Sequence, residues 1–107
     1  MQEYTKATKL KMRELLSLAY GRELSEHLQE LAVHFDDWKN KKITPWDLTE
    51  LIHKFHNGPA RKLFNLYDKL SMVVLARAVT NKYLSRDEIP DNIYSLIEEI
   101  LKPPGKK

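Results

Sequence analysis

Apolar residues recur with a helical period along nearly the whole chain. They predict a long first helix over residues 5–39, in which Gly21 marks either close packing or a bend. The second half of this helix carries an apolar seam with 4-3-4-3 spacing, formed by Leu24, Leu28, Leu31, Phe35 and Trp38. Such spacing places the five side chains on one helix face, where a second helix can pack.

A second helix is predicted from a strong start signal. Thr44 suits the N-cap position, Pro45 suits the first helical position, and Asp47 lies where it can complete a capping box with Thr44. Gly58 and Pro59 are expected to end this helix. Its inward face is predicted to hold Leu48, Leu51, Ile52 and Phe55.

Two further helices are expected, with a single turn between them. The helix over residues 60–82 is apolar on nearly every side, which indicates burial at the centre of the core. Ser85 and Glu88 can form a second capping box ahead of a last helix over residues 90–101. The inward residues of that helix are predicted to be Ile93, Leu96, Ile97 and Ile100. The chain is therefore predicted to be all-α, with four to five helices.

The composition indicates one globular domain. The chain has 107 residues, of which 42% are hydrophobic and 31% are charged, so it is long enough for one folded core. We expect a single helical domain over residues 1–101 and a flexible tail over residues 102–107. Residues 1–13 hold no apolar segment typical of a signal peptide, and the longest apolar run, residues 72–76, is too short to cross a membrane. We expect a cytoplasmic protein with no membrane partner.

Few residue groupings are suited to catalysis or to metal binding. The chain has no cysteine, which excludes disulfides and thiolate metal sites. His53 and His56 share a helix face, but a zinc site would need two more ligands. A metal-dependent enzyme built on this pair is the third hypothesis, and stoichiometric zinc in the purified protein would reveal it. No Gly-rich phosphate loop and no nucleophile elbow is present, so we predict no enzyme, no metal and no cofactor.

The sequence is compatible with two kinds of binding function, nucleic-acid binding and protein binding. With a net charge of +3 and the lysines at positions 39, 41 and 42, a small nucleic-acid-binding regulator is the alternative hypothesis. Against it, the helix beginning Ala60-Arg61-Lys62 turns apolar where a DNA-reading helix needs polar residues. Trp46 lies off the apolar face of the second helix, where it either closes the core or anchors a protein partner. Protein binding is the leading prediction.

The length of the first helix predicts self-association. A helix of about 35 residues is roughly 50 Å long, whereas a compact domain of this size is about 34 Å across. An unbroken first helix would extend past its own core, so the seam would need cover from a second copy. We therefore expect a two-fold symmetric homodimer that packs through the seam. A break at Gly21 would instead let the chain fold back as a monomer.

Several short motifs follow one another along about residues 15–90. The first is Ala19-Tyr20-Gly21-Arg22-Glu23-Leu24, and the later ones are Ile43-Thr44 with His53 and Phe55, Tyr67-Asp68 with Ser71 and Val73, and Leu84-Ser85-Arg86-Asp87-Glu88. Together they resemble the fluorescence recovery protein family. The resemblance implies an all-α homodimer that binds photoactivated orange carotenoid protein, speeds its return to the resting state and carries no cofactor.

Two positions depart from that family. Aligned without gaps from Ile43 to Tyr67, the family's tryptophan on the second helix falls at Glu50, and its functional arginine falls at Ala60. A carboxylate in place of an aromatic side chain removes an apolar anchor and adds a desolvation cost on burial. We therefore expect a homodimeric regulator whose partner is orange carotenoid protein-like or different. The partner-binding surface is predicted at His53, His56, Arg61 and Trp46.

Overall fold

The structure is a computed structural model that describes residues 4–102. Every regular element within this range is helical, and no strand occurs in it. The α-helices are α1 (Lys6–Lys39), α2 (Pro45–Phe55), α3 (Arg61–Tyr67), α4 (Met72–Thr80) and α5 (Asp91–Leu101). A π-helical turn (His56–Ala60) joins α2 to α3, and a 3-10 turn (Arg86–Glu88) precedes α5. The all-α fold and the long N-terminal helix are confirmed.

Helix α1 runs through Gly21 without interruption. A Cβ atom at this position would meet no atom within 4 Å, so the expected close packing at Gly21 is wrong. The helix begins after Thr5, whose Oγ1 accepts a 3.0 Å hydrogen bond from the Thr8 N–H. It ends in a Schellman motif, in which the Lys42 N–H donates to the Asp37 carbonyl at 2.8 Å.

Helix α2 begins at the predicted capping box. The Asp47 N–H donates to Thr44 Oγ1 at 3.0 Å, and the Thr44 N–H donates to Asp47 Oδ2 at 3.0 Å. Two backbone donors that the first helical turn leaves without partners are thereby satisfied. Pro45 occupies the first helical position, as predicted.

The predicted end of the second helix at Gly58 and Pro59 is wrong. The chain stays helical there, because a π turn over His56–Ala60 carries it from α2 into α3. Gly58 does not adopt the left-handed conformation of a glycine that ends a helix. Pro59 lies inside the turn and lacks an N–H, and its ring would clash with a carbonyl in a regular α-helix. Widening by one residue is how helices accommodate such a position.

The predicted third helix over residues 60–82 is two helices, α3 and α4. Ser71 lies between them in an extended conformation, and its Oγ accepts a 3.2 Å hydrogen bond from the Val74 N–H. A serine that caps a new helix competes with continuing the old one. Helix α4 has one exposed side chain on its first turn, Val73, and its buried residues are Met72, Val74, Leu75, Ala76 and Ala78.

The second predicted capping box is also present, ahead of α5. The Ser85 N–H donates to Glu88 Oε1 at 3.0 Å. Arg86 then pairs with Asp91 at 2.6 Å and lies 4.1 Å above the ring of Tyr94. The hydrogen bond to Asp91 raises the pKa of Arg86 above its ordinary value.

The inward face of α5 was predicted largely correctly. Ile93 and Ile97 are fully buried, and Leu96 is half-buried. Ile100, expected on the same face, is exposed in the last turn of the helix.

The chain divides into two compact units, which are described separately. We name the residues up to Tyr20 and from Tyr67 onward the core region, and Gly21–Leu66 the hairpin region. The folding of residues 1–101 as one domain stays a prediction. Of the predicted tail, residues 103–107 lie outside the described residues. No helix within residues 4–102 has the length and apolar character needed to cross a membrane.

Candidate interaction surface

The hairpin region exposes many of its large apolar side chains. Within residues 21–66, which the structure describes in full, the buried apolar residues are Leu48 and Leu63. The exposed ones are Leu28, Val33, Trp38, Trp46 and Phe64, with Trp46 at 79% exposure. Scattered apolar residues are normal on a surface, but exposed tryptophan and phenylalanine are the types that anchor protein interfaces.

Some residues of the predicted dimer seam of α1 pack within the hairpin region. Leu31 lines a shallow groove of about 170 Å³ together with Leu51 and Phe55 of α2, so this stretch of α1 lies beside α2. The five seam residues differ in exposure: Leu24, Leu31 and Phe35 are half-buried, whereas Leu28 and Trp38 are exposed. The packing of a second copy on this seam stays a prediction.

Two histidines of α1 border the same groove, and each lies beside a carboxylate. His27 Nδ1 is 3.6 Å from Glu30 Oε1, and His34 Nδ1 is 4.0 Å from Asp37 Oδ2. Partly exposed pairs of this kind contribute little to stability. In the part of the chain that the structure describes, no group of three or more His, Asp or Glu side chains is placed to hold a metal ion.

Two of the predicted partner-binding residues lie on the outer face of α2. Trp46 and His53 are both exposed and are separated by seven positions, which places them on one helix face. Glu50, at the position of the family's tryptophan, lies between them on this face and pairs with Lys54 at 3.8 Å. The outer face of α2 therefore carries an exposed tryptophan, Trp46, next to the exposed ion pair of Glu50 and Lys54.

The other two predicted residues meet at the π turn. His56 and Arg61 line one open groove of about 410 Å³ with Ala60, Phe64 and Asn65. Trp46 and His53 do not line this groove, so the four predicted residues fall on two neighbouring surfaces. We call this second surface the π-turn groove.

Phe64 is the residue that sequence reasoning missed. Its side chain is 56% exposed in the π-turn groove. The helix over residues 60–82 was predicted to be buried on most sides, and no role was assigned to Phe64. The adjacent Leu63 is 5% exposed, and Phe64 lies about 100° further around α3, outside the buried face.

The residues that line the π-turn groove include one arginine, Arg61, and no carboxylate. Residues 51–66 include no aspartate and no glutamate. They include two histidines and three permanently cationic side chains, all exposed: His53, Lys54, His56, Arg61 and Lys62. Lys54 is paired with Glu50, which leaves Arg61 and Lys62 as the cations nearest to Phe64 in sequence. The surface is therefore basic around an apolar groove.

The lysines behind the nucleic-acid hypothesis lie elsewhere, on the loop between α1 and α2. Lys39, Lys41 and Lys42 line an open groove of about 700 Å³ that also includes Trp38 and Asp47. Over residues 36–47 the three lysines are matched in number by three aspartates, at positions 36, 37 and 47. A site for the phosphate backbone needs an excess of cations, which residues 36–47 as a whole do not have.

The motifs behind the family resemblance mix buried and exposed residues, and four of their residues are buried: Ala19, Glu23, Tyr67 and Leu84. Ala19 is fully buried, and the ring of Tyr20 stacks on Tyr67 with centroids 5.2 Å apart. The Tyr67 hydroxyl accepts a 3.4 Å hydrogen bond from Arg77. Glu23, in the same motif, is 5% exposed. These residues help to hold the fold together and do not form an exposed site.

Comparison of the chain with protein-family models, with curated proteins and with solved structures gave no match.

Proposed function

We propose that this protein is a homodimeric interaction module that regulates a protein partner in the cytoplasm. The observation that carries the proposal is the exposure of Trp46, Phe64 and Trp38 in a region where few apolar residues are buried. Large aromatic side chains contribute most of the binding energy at protein interfaces when a partner removes them from water.

The family resemblance supports the same class of function. Tyr20 and Tyr67, which belong to two separate motifs of the resemblance, stack on each other. The two motifs, far apart in the sequence, thus contact each other in the fold. The proposed partner is a protein like the orange carotenoid protein, or a different one. Glu50 favours a different partner, since a carboxylate stands where the family places an aromatic anchor.

The homodimer is proposed to pack through the exposed part of the α1 seam. Leu28 and Trp38 would each contact a second copy across a two-fold axis. Light scattering at micromolar concentration is expected to give twice the chain mass of 12.6 kDa. The double variant Leu28→Asp/Trp38→Asp should give the mass of a single chain with helicity retained. A single-chain mass for the unchanged protein would exclude the dimer.

The regulatory role is tested on photoactivated orange carotenoid protein. Its dark recovery rate is measured by absorbance with and without an excess of this protein. A faster recovery that is lost in Trp46→Ala, but kept in Leu10→Ala, would support the family function. Leu10 is the matched control, because it is an exposed apolar residue of α1 in the core region. An unchanged rate would rule out this carotenoid protein as the partner.

A further inference from the structure

The π-turn groove combines a hydrophobic surface with a basic rim. Phe64 and Ala60 provide apolar surface, and the small side chain of Ala60 leaves room beside the exposed phenylalanine ring. Arg61 and His56 line the same groove with polar groups that donate hydrogen bonds. A ligand that fills the groove would thus place an apolar group on Phe64, and its adjacent polar groups would lie beside Arg61 and His56.

The backbone at this groove is itself unusual. His56 and Ala60 are the first and last residues of the π turn, and Arg61 follows it directly. Such single-turn insertions in helices are frequent at functional sites. The turn also keeps Arg61 and Phe64 on a continuous helical support, which limits the freedom lost on binding.

We propose that the π-turn groove docks an acidic segment of a protein partner. One apolar side chain of that segment packs against Phe64, and a flanking carboxylate pairs with Arg61. Charge complementarity selects this occupant, because the groove is lined by the cation Arg61 and by no acidic residue. This inference rests on the proposed protein-binding function and names the chemistry of the partner.

A protein segment fits this surface better than a nucleic acid does. Single-stranded nucleic acid is held by a track of cations beside several stacking aromatic side chains. The π-turn groove has one exposed aromatic residue, Phe64, and Lys54 is already paired with Glu50. An acidic peptide with one apolar anchor needs only the arginine and the single exposed ring that line the groove.

The test uses fluorescein-labelled synthetic peptides and the full chain, with binding followed by anisotropy. The probe is a short peptide in which aspartates and glutamates flank one leucine. Two matched peptides replace the acids by asparagine and glutamine, or the leucine by serine. Labelled oligothymidylate serves as the nucleic-acid probe. Because these comparisons change only the ligand, they do not depend on the folding of any variant.

We expect the acidic leucine peptide to bind, and each matched peptide to bind about tenfold or more weakly. Phe64→Ala and Arg61→Glu should each weaken binding of the acidic leucine peptide by a similar factor. The controls Leu10→Ala and Lys9→Glu change exposed residues of α1 in the core region and should leave the affinity unchanged. Circular dichroism should show that every variant keeps the helicity of the parent protein.

Three results would overturn the inference. The first is that no peptide binds at concentrations up to about 1 mM. The second is that the peptide binds equally well to the Phe64 and Arg61 variants. The third is that oligothymidylate binds more tightly than the peptide and through the same residues. The proposed function fails separately. Faster carotenoid-protein recovery without peptide binding would discard the groove and keep the regulator. Peptide binding without faster recovery would keep the groove and point to another partner.

Discussion

The core region and the hairpin region differ in how they use their apolar residues. In the core region, Leu75, Ile93 and Ile97 are 0–1% exposed, and α4 packs against α5. In the hairpin region, Leu48 and Leu63 are buried while Trp46 and Phe64 face water. Full burial of such a side chain contributes about 1.5–3 kcal/mol. Each region also exposes five large apolar side chains among the described residues, so the regions differ in how many they bury. The core region is the better packed of the two, and the proposed binding surface lies in the hairpin region.

Local hydrogen bonding does not separate the two regions. Each has a capping box, at Thr44 in the hairpin region and at Ser85 in the core region. Each also has a helix that ends in a Schellman motif with a lysine in the left-handed conformation, Lys41 in one and Lys82 in the other. The helices are therefore specified locally in much the same way, and burial is what distinguishes the regions.

The largest expected effect comes from a matched pair of leucines, one in each region. Leu75→Ala should lower the free energy of unfolding by about 3 kcal/mol, because a fully buried leucine leaves a cavity in the core. Leu28→Ala removes the same atoms from a site that is exposed in the single chain and, at concentrations too low for dimerisation, should change stability by less than about 0.5 kcal/mol. Urea unfolding followed by circular dichroism measures both.

The two leucine variants also test the assignment of Leu28 to a dimer. A second copy packed on Leu28 would make the loss in Leu28→Ala depend on protein concentration, because association stabilises the folded state by mass action. Equal losses in the two variants at every concentration would contradict the difference in packing between the two regions.

The parts of the fold that were predicted correctly have local chemical signals. Thr44 and Ser85 mark helix starts, because their side chains can satisfy nearby backbone donors. Each capping box spans only four residues of sequence, so it can be identified from the sequence alone. Ser71 is the same kind of residue, but it was overlooked because apolar residues surround it. The strong apolar period of residues 60–82 concealed the break between α3 and α4.

The errors at helix ends have a different cause. Gly58 and Pro59 are helix-breaking residues, yet the π turn accommodates them, and this depends on the geometry of a whole turn. Lys41 and Lys82 occupy positions that usually hold glycine, so composition gave no sign of them. In the candidate site, His56 and Arg61 were predicted and share a groove. Phe64 was missed because burial is a property of the tertiary structure and not of residue type.

A smaller effect is expected at the capping box of the hairpin region. Thr44→Ala should lower the free energy of unfolding by about 1 kcal/mol, because the Asp47 N–H loses its acceptor. Trp46 lies two residues further along, so tryptophan fluorescence reports on this helix start directly. Thr49→Ala is the matched control, since Thr49 is exposed within α2 and alanine is the better helix former. Equal losses at Thr44 and Thr49 would mean that the capping box does not stabilise α2.

The smallest effects are expected at the two left-handed lysines, and they carry the opposite sign. Lys41 and Lys82 have φ angles of 61° and 68°, a conformation that costs a non-glycine residue about 1 kcal/mol. Lys41→Gly and Lys82→Gly should each raise the free energy of unfolding by about 0.5 kcal/mol, after the greater flexibility of glycine in the unfolded chain is subtracted. Lys42→Gly is the control, since its φ is not positive, and it should destabilise the protein slightly. If Lys82→Gly stabilises and Lys41→Gly does not, the end of α1 lies in a part of the hairpin region that opens before the rest of the chain unfolds.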